Sequence, residues 1–309
     1  MSLRVGALCS GYGGLELALG ELGLDTVVSW FAEISEPAAA VMSARFDAPN
    51  LGDLTEVDCV EPVDVVTAGF PCQPFSVAAA SWGTRRGVDD ERWLIDDVVS
   101  IWVSSGARWL VLENVRGLFS ASDGEAFGKV VDALSNVGAY ARWSCVRAAD
   151  IGACHRRDRW FCLVSRDGVF PSWELDLCET AVPDVLLPTP TARDHKDTPG
   201  MTLHKGHESD TVPRAIYGLD RAGITDWGRY APAIERHEFV FGRQAPPPLV
   251  DGKLSPRFVE WMMMLPDGWV SDFDVSRTKK LQMLGNGVVP RQAAAALAAL
   301  TACGASVEA

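Results

Sequence analysis

The chain has 309 residues, a net charge of −13, 48 % hydrophobic residues and a mean hydropathy of +0.06. That length supports one large domain with a smaller one, and the composition is that of a globular protein with a well-packed core. No apolar run reaches the roughly 18–20 residues of a membrane span, and no basic-plus-apolar leader opens the sequence, so we expect an intracellular, cytoplasmic protein without membrane association. Eight cysteines (9, 59, 72, 145, 154, 162, 178 and 303) occur without CxxC pairs, which predicts reduced thiols rather than a disulfide frame or a metal site. The acidity is uneven. Residues 1–150 hold 21 acidic against 10 basic side chains, whereas residues 189–245 hold 8 of each and four of the five histidines. A local basic face therefore remains compatible with the global charge.

In chain order, Val5–Ser10 reads as a first strand, and Gly11-Tyr12-Gly13-Gly14 follows it directly into a helix carrying Leu15, Leu17, Leu19 and Leu22. Strand, glycine loop and helix together place backbone N–H groups and a helix N-terminus toward an anionic ligand. A second strand, Thr26–Phe31, leads to Glu33, 19 residues beyond Gly14. An acid at that distance suits the ribose hydroxyls of a nucleoside cofactor, a pattern shared by NAD, FAD and S-adenosylmethionine proteins. Gly52-Asp53 ends a short segment that offers an acceptor to an adenine amine. The β-branched run Val63–Ala68 predicts a buried strand, stopped by Gly69, Pro71 and Pro74, with Cys72 on a rigid loop between the two prolines.

Residues 81–92 are charged and glycine-punctuated and predict a loop able to close over a site. A helix is expected over Trp93–Val103. The strand Trp109–Leu112 then runs into Glu113-Asn114-Val115 at its C-terminal end. A helix near 125–137 and strands near 140–148 and 159–165 complete an alternating α/β pattern, that of a doubly wound sheet. Between those strands lies Cys154-His-Arg-Arg157-Asp-Arg159. From Pro171 to about 252 periodicity is weak and turn formers are frequent, which predicts a small loop-rich domain with Trp173, Tyr217, Trp227, Tyr230, Phe239 and Phe241 as core. Ser255-Pro256 opens a capped helix, Gly285–Pro290 is a sharp loop, and Arg291–Cys303 is an alanine-rich helix.

Taken together, these pieces resemble the cytosine-C5 DNA methyltransferase family, over the whole chain outside 171–252 and in the family's motif order. Gly11, Tyr12, Gly13 and Gly14 resemble the glycine motif for S-adenosylmethionine, Glu33 the ribose-binding acid with Ile34 beside it, and Asp53, followed by Leu54, the residue facing adenine. Pro71-Cys72-Gln73 resembles the catalytic motif and Glu113-Asn114-Val115 the motif whose Glu meets the target base. His155–Arg159 resembles the paired-arginine motif, with Arg157 and Arg159 in the conserved places; Leu254–Arg257 resembles the motif that organises the small domain. Asn286 and Val288 lie in the loop that resembles the last conserved motif, which returns to the cofactor pocket. Cys9 departs from the family's usual Phe, and Cys154 and His155 from its Pro and Gln.

The resemblance implies an α/β, doubly wound, Rossmann-like methyltransferase sheet with a target-recognition domain. Residues 1–170 would bind the cofactor and carry catalysis, 171–270 would read the target, and 271–309 would return to the catalytic domain. It further implies methyl transfer from S-adenosylmethionine, leaving S-adenosylhomocysteine, to C5 of a flipped-out cytosine in double-stranded DNA through a Cys72–C6 adduct. N–H dipoles of the loop or an arginine, Arg157 or Arg159, would favour the thiolate, and Glu113 would be kept protonated or proton-sharing by burial. Arg193, Lys196 and Arg243 are expected DNA contacts. A monomer is expected, with a restriction endonuclease as an allowed partner, in a prokaryotic or phage setting.

Overall fold

A computed structural model describes residues 2–71, 93–178, 180–198 and 211–302. The chain divides into two compact units. The first comprises Met1–Val146, Asp158–Leu175 and Ala293–Ala309, the second Arg147–Arg157 and Asp176–Gln292. The sequence set its boundaries at 170 and 270, whereas 147–157 and 271–292 belong to the second unit.

The first unit is built on six strands: β1 (Leu3–Leu8), β2 (Thr26–Ala32), β3 (Val65–Ala68), β4 (Trp109–Val115), β5 (Tyr140–Arg147) and β6 (Asp158–Ser165), in the order β2-β1-β3-β4-β6-β5. β1 is parallel to β2 on one side and to β3 on the other, β3 is parallel to β4, and β6 runs antiparallel to β4. Four consecutive buried residues, Val65–Ala68, make β3 apolar on both faces, as expected of a central parallel strand covered by helices on each side. Those helices are α1 (Gly14–Glu21), α2 (Glu36–Phe46), α3 (Ile95–Ser104) and α4 (Glu125–Asn136). Trp30, Trp102, Trp160, Phe31 and Phe161 are the largest apolar side chains sealed between the layers. The chain leaves β1 for β2 on one side and comes back to β3 on the other, which makes the ends of β1 and β3 the topological switch point, where ligands gather in such sheets.

Two differences from the sequence reading concern this unit. The sequence reading omits α2, although Ser35 at its N-cap and Pro37 in its first turn mark a helix start. β4 also continues through Val115 rather than stopping at Leu112, because β6 keeps pairing along it, Glu113 opposite Phe161 and Val115 opposite Arg159. Glu113 thus stands on a rigid strand and not on a loop.

The second unit contains α5 (Val212–Arg221), α6 (Ala231–Phe241), a short hairpin of β7 (Leu249–Val250) and β8 (Lys253–Leu254), α7 (Pro256–Met262), α8 (Arg277–Asn286) and the start of α9 (Pro290–Ala302). It is therefore more helical than its weak periodicity suggested. Thr211 caps α5, accepting from the Arg214 N–H, and Val212, Ala215 and Ile216 form its buried stripe. The expected cap on α7 is present: Ser255 Oγ accepts the Phe258 N–H at 3.4 Å. Tyr217 and Tyr230 are core, Trp227 stacks on Phe258 at 5.5 Å, but Phe239 is 70 % exposed. Trp173 belongs to the first unit, where it meets Trp109 edge-on at 6.1 Å. Glu260 organises the turn after α7, its buried carboxylate accepting the N–H groups of Gly268, Val270 and Ser271 at 2.6–2.7 Å.

Candidate active site

In the first unit the strand register brings the expected site residues to one edge. Leu8 pairs with Ala68 and Ala68 with Leu112, so Cys9, Gly69 and Glu113 follow in one row. A Cβ added to Gly69 would stand 3.6 Å from both the Cys9 carbonyl and Glu113 Oε2. The Glu113 carboxylate therefore hangs over the backbone three residues ahead of Cys72. Cys72 itself, its neighbour Gln73 and the 81–92 loop lie outside the described residues.

Glu113 is 8 % exposed, and its Oε1 is 3.0 Å from Arg159 Nε. The guanidinium also donates through Nη1 to the Asp158 carbonyl at 2.9 Å, which fixes its direction. The buried Glu113 carboxyl thus has a guanidinium as its partner, held from a second side by backbone. Asn114, which the sequence reading left without a task of its own, is 2 % exposed. Its Nδ2 donates to the Phe70 carbonyl at 3.1 Å and its Oδ1 accepts the Val115 N–H at 2.8 Å. One amide thus ties β4 to the segment that enters the Cys72 loop.

At the neighbouring strand ends, Gly13 has φ +85°, and a Cβ there would strike the Phe46 ring at 2.5 Å, so both the conformation and the packing demand glycine. Gly11, at φ +56°, has open space where a Cβ would be. Glu33 Oε2 accepts the Gly11 N–H at 2.9 Å and Oε1 the Ser35 N–H at 2.8 Å. Burial nevertheless holds the Glu33 carboxyl above the usual range, and the two N–H groups oppose that shift. Each oxygen keeps a lone-pair direction for a hydroxyl. Asn50 braces this corner: its amide accepts the Glu33 and Gly52 N–H groups, both at 3.1 Å, and donates to the Glu33 carbonyl at 3.0 Å. No spacing rule in the sequence marks Asn50, since the link spans 17 residues and exists only once β2 and the Asn50 segment meet.

The remaining expected cofactor residues divide by exposure. Ile34 is 75 % exposed, free to lie along a planar ring, whereas Tyr12 and Leu54 are buried and can offer only backbone. Asp53 caps the turn Leu54–Glu56 through the Thr55 N–H and hydroxyl, at 3.0 and 2.8 Å, and these bonds hold its carboxyl below the ordinary range. Pro71 is half-buried. Cys9, half-buried beside Glu33 and Asp53, has its thiol pushed up to about 12 by burial and by those two acids, so it is no rival nucleophile. Beneath the glycine loop, Glu16 is 4 % exposed, bonded to the Thr67 hydroxyl, and pushed up to about 6 by burial. An open glycine cradle, a half-buried acid with spare acceptor capacity and an exposed apolar side chain fit an adenosine-bearing cofactor.

Arg157, Asn286 and Val288 belong to the second unit. Arg157 is 2 % exposed and its guanidinium donates to the carbonyls of Pro190 (3.1 Å), Gly285 (3.2 Å) and Gly287. Of the two arginines, Arg159 is the one paired with the Glu of the site, while Arg157 grips backbone. Asn286 is exposed and Val288 is 8 % exposed. Arg243, an expected DNA contact, is engaged internally with the Leu265 carbonyl at 2.8 Å and with Asp267 at 3.1 Å. Arg193 and Lys196 are exposed.

The family model for C-5 cytosine-specific DNA methylases matches residues 3–191, more than half of the chain. The chain belongs to that family. Type II methyltransferase M.CviJI of Paramecium bursaria Chlorella virus IL3A is 36 % identical over 237 residues, 75 % of this chain and 59 % of that protein. Type II methyltransferase M.NaeI of Lentzea aerocolonigenes is 26 % identical over 304 residues, 94 % of this chain and 72 % of its own. Among solved structures, the Dnmt2 methyltransferase of S. pombe has a TM-score of 0.57 at 16 % identity, covering 97 % of this chain and 98 % of its own. The Entamoeba histolytica methyltransferase EhMeth has a TM-score of 0.59 at 15 % identity, covering 95 % and 96 %. At such identities the structures establish a shared fold. C-5 methylases of this family take their methyl group from S-adenosylmethionine.

Proposed function

We propose that this family member methylates C5 of a flipped-out cytosine in a specific double-stranded DNA sequence. The observation that carries the reading is Glu113, held by Arg159 and placed over Gly69 three residues ahead of Cys72. Cytosine C5 is a poor nucleophile. Addition of the Cys72 thiolate to C6 moves electron density to C5, which can then take a methyl group. The donor supplies that methyl on a sulfonium and leaves as S-adenosylhomocysteine. Loss of the C5 proton to a base then expels Cys72 and restores the ring, so the thiolate is regenerated and one proton is released.

Glu113 would accept the exocyclic amine N–H and share a proton with N3, relieving the charge that the addition creates. Arg159, 3.0 Å away, would hold the Glu113 carboxyl in place for that contact. Asn114 holds the Phe70 carbonyl and so fixes where the Cys72 loop begins. Gly11–Gly14, Glu33, Ile34, Asp53, Leu54 and Pro71 would line the donor's pocket. Chemistry at C5 and C6 does not fit a stacked duplex, so the base must leave the helix. Residues 171–270 would read the target, with Arg193 and Lys196 toward the backbone.

The test is a duplex carrying 5-fluorocytosine at a site mapped by sequencing modified cytosines in host DNA. With S-adenosylmethionine present, methyl transfer proceeds, elimination stalls because fluorine cannot leave as a proton does, and a denaturation-resistant adduct on the Cys72 peptide accumulates. Cys72→Ser should bind DNA without turnover, and Glu113→Gln should slow adduct formation by roughly 10²–10⁴-fold. No adduct, together with Cys72→Ser methylating at the wild-type rate, would refute the proposal; adducts formed on RNA alone would move the substrate class.

A further inference from the structure

In the first unit, one side-chain amide joins two acids that are distant in the sequence, Glu33 just after β2 and Asp53 at the next turn. The chain returns beside β2 at residues 49–51, where the Phe31 N–H donates to the Pro49 carbonyl at 3.0 Å and the Leu51 N–H to the Phe31 carbonyl at 2.7 Å. Asn50 stands at the centre of that bridge. Its Oδ1 accepts the Glu33 N–H at 3.1 Å and its Nδ2 donates to the Glu33 carbonyl at 3.0 Å. The amide thus pairs with Glu33 as a neighbouring strand would, although β2 has already ended at Ala32. Such pairing needs one donor and one acceptor at a fixed reach. Asp lacks the donor, and Gln carries its amide one methylene too far.

The same Oδ1 also accepts the Gly52 N–H at 3.1 Å. Gly52 is at φ +79°, a left-handed backbone that a side chain would strain, and it turns the chain into Asp53. Asp53 uses Oδ1 for the Thr55 N–H and hydroxyl, which leaves Oδ2 for a donor outside the turn. Both acids push up the Cys9 thiol, so the two arms converge on the end of β1. Asn50 itself is exposed, and these three bonds all go to backbone. One side chain therefore fixes where each arm begins, and a shift of its amide moves both.

We propose that Asn50 is a positioning residue that sets the separation of Glu33 and Asp53, and so lets the site select its nucleoside by ribose hydroxyl and by base amine at once. This rests on the donor pocket proposed above. Glu33 offers acceptor directions to the ribose hydroxyls and Asp53 Oδ2 offers one to the adenine amine. A nucleoside of fixed dimensions satisfies both acceptors without penalty only where their separation is set before it binds.

The experiment measures by calorimetry the affinity for S-adenosylhomocysteine, for its 2′-deoxy analogue, and for the deaminated analogue that carries hypoxanthine. Each analogue lacks one contact, so wild-type protein should bind S-adenosylhomocysteine roughly tenfold or more tighter than either. Asn50→Ala should reduce both factors by about threefold or more, the scale of a neutral hydrogen bond, while the protein still melts cooperatively. A residue that only stabilised the fold would weaken the three ligands alike and leave both factors unchanged. Should Asn50→Ala not fold, the factors are read in Asn50→Asp, which keeps the two accepted N–H groups and loses only the bond to the Glu33 carbonyl. There the ribose factor should fall while the base factor stays near wild type. A folded variant with both wild-type factors overturns the proposal. Wild-type protein that binds S-adenosylhomocysteine but discriminates against neither analogue overturns it too, and leaves the methyl-transfer reading standing. Failure of wild-type protein to bind S-adenosylhomocysteine removes the proposed donor pocket and the role of Asn50 together.

Discussion

Lowering the pH from about 7.5 to about 5 should cost this protein about 2 kcal/mol of stability through His237 alone. The ring is fully buried on α6. Its Nδ1 accepts the Cys154 N–H at 3.1 Å, so Nδ1 carries no proton, and Nε2 donates to the Trp261 carbonyl at 3.0 Å. Burial lowers the imidazole from its ordinary 6.5 to about 3; Arg236 and Arg243 push the same way, and the bond to Trp261 opposes them. Because the folded value is depressed, the contribution is complete above 6.5 and declines as the unfolded chain takes up a proton that the folded chain refuses. At pH 5 that uptake is worth about 1.5 pH units at ~1.36 kcal/mol each, wherever the folded value lies below 5. Glu16 and Asp194, both raised to about 6 by burial, act in the opposite direction: their contribution is full at low pH and fades as the pH rises through about 6. A comparison with His237→Gln isolates the imidazole, since the amide offers one acceptor and one donor but does not titrate. Urea melts at the two pH values should show the stability gap between wild type and variant narrowing by about 2 kcal/mol at the lower pH. A gap that stays constant would mean that His237 is not held neutral, and the reasoning would fail.

Glu33→Ala should weaken S-adenosylmethionine binding by ~1.5–3 kcal/mol, as for a lost hydrogen bond to a charged group, and it also releases the Gly11 N–H; unchanged affinity in a folded variant would remove Glu33 from the site. Asn114→Ala leaves the buried Phe70 carbonyl without its donor, which should cost about 1–3 kcal/mol and slow 5-fluorocytosine adduct formation while leaving cofactor affinity intact. Adduct formation at the wild-type rate would show that Asn114 does not position the Cys72 loop.

Local chemistry was enough to read much of this chain. The glycine loop is legible because Gly13 needs a left-handed backbone and faces a ring that leaves no room for a side chain. Val65–Ala68 is legible because a strand covered on both faces must be apolar throughout, and Ser255-Pro256 because a helix start has its own sequence signature. These demands act within a few residues, so they are written in a few residues. Other features exist only after distant segments meet. β4 runs on to Val115 because β6 continues to pair with it, and this puts Glu113 on a strand. Asn50 braces Glu33 only because the Asn50 segment lies beside β2. The two arginines of one motif read as equivalent in sequence, yet their chemistry divides: Arg159 finds a carboxylate in the sheet, and Arg157 finds three carbonyls in the second unit. A guanidinium bonds whatever acceptors the fold brings within reach, and that choice belongs to tertiary structure.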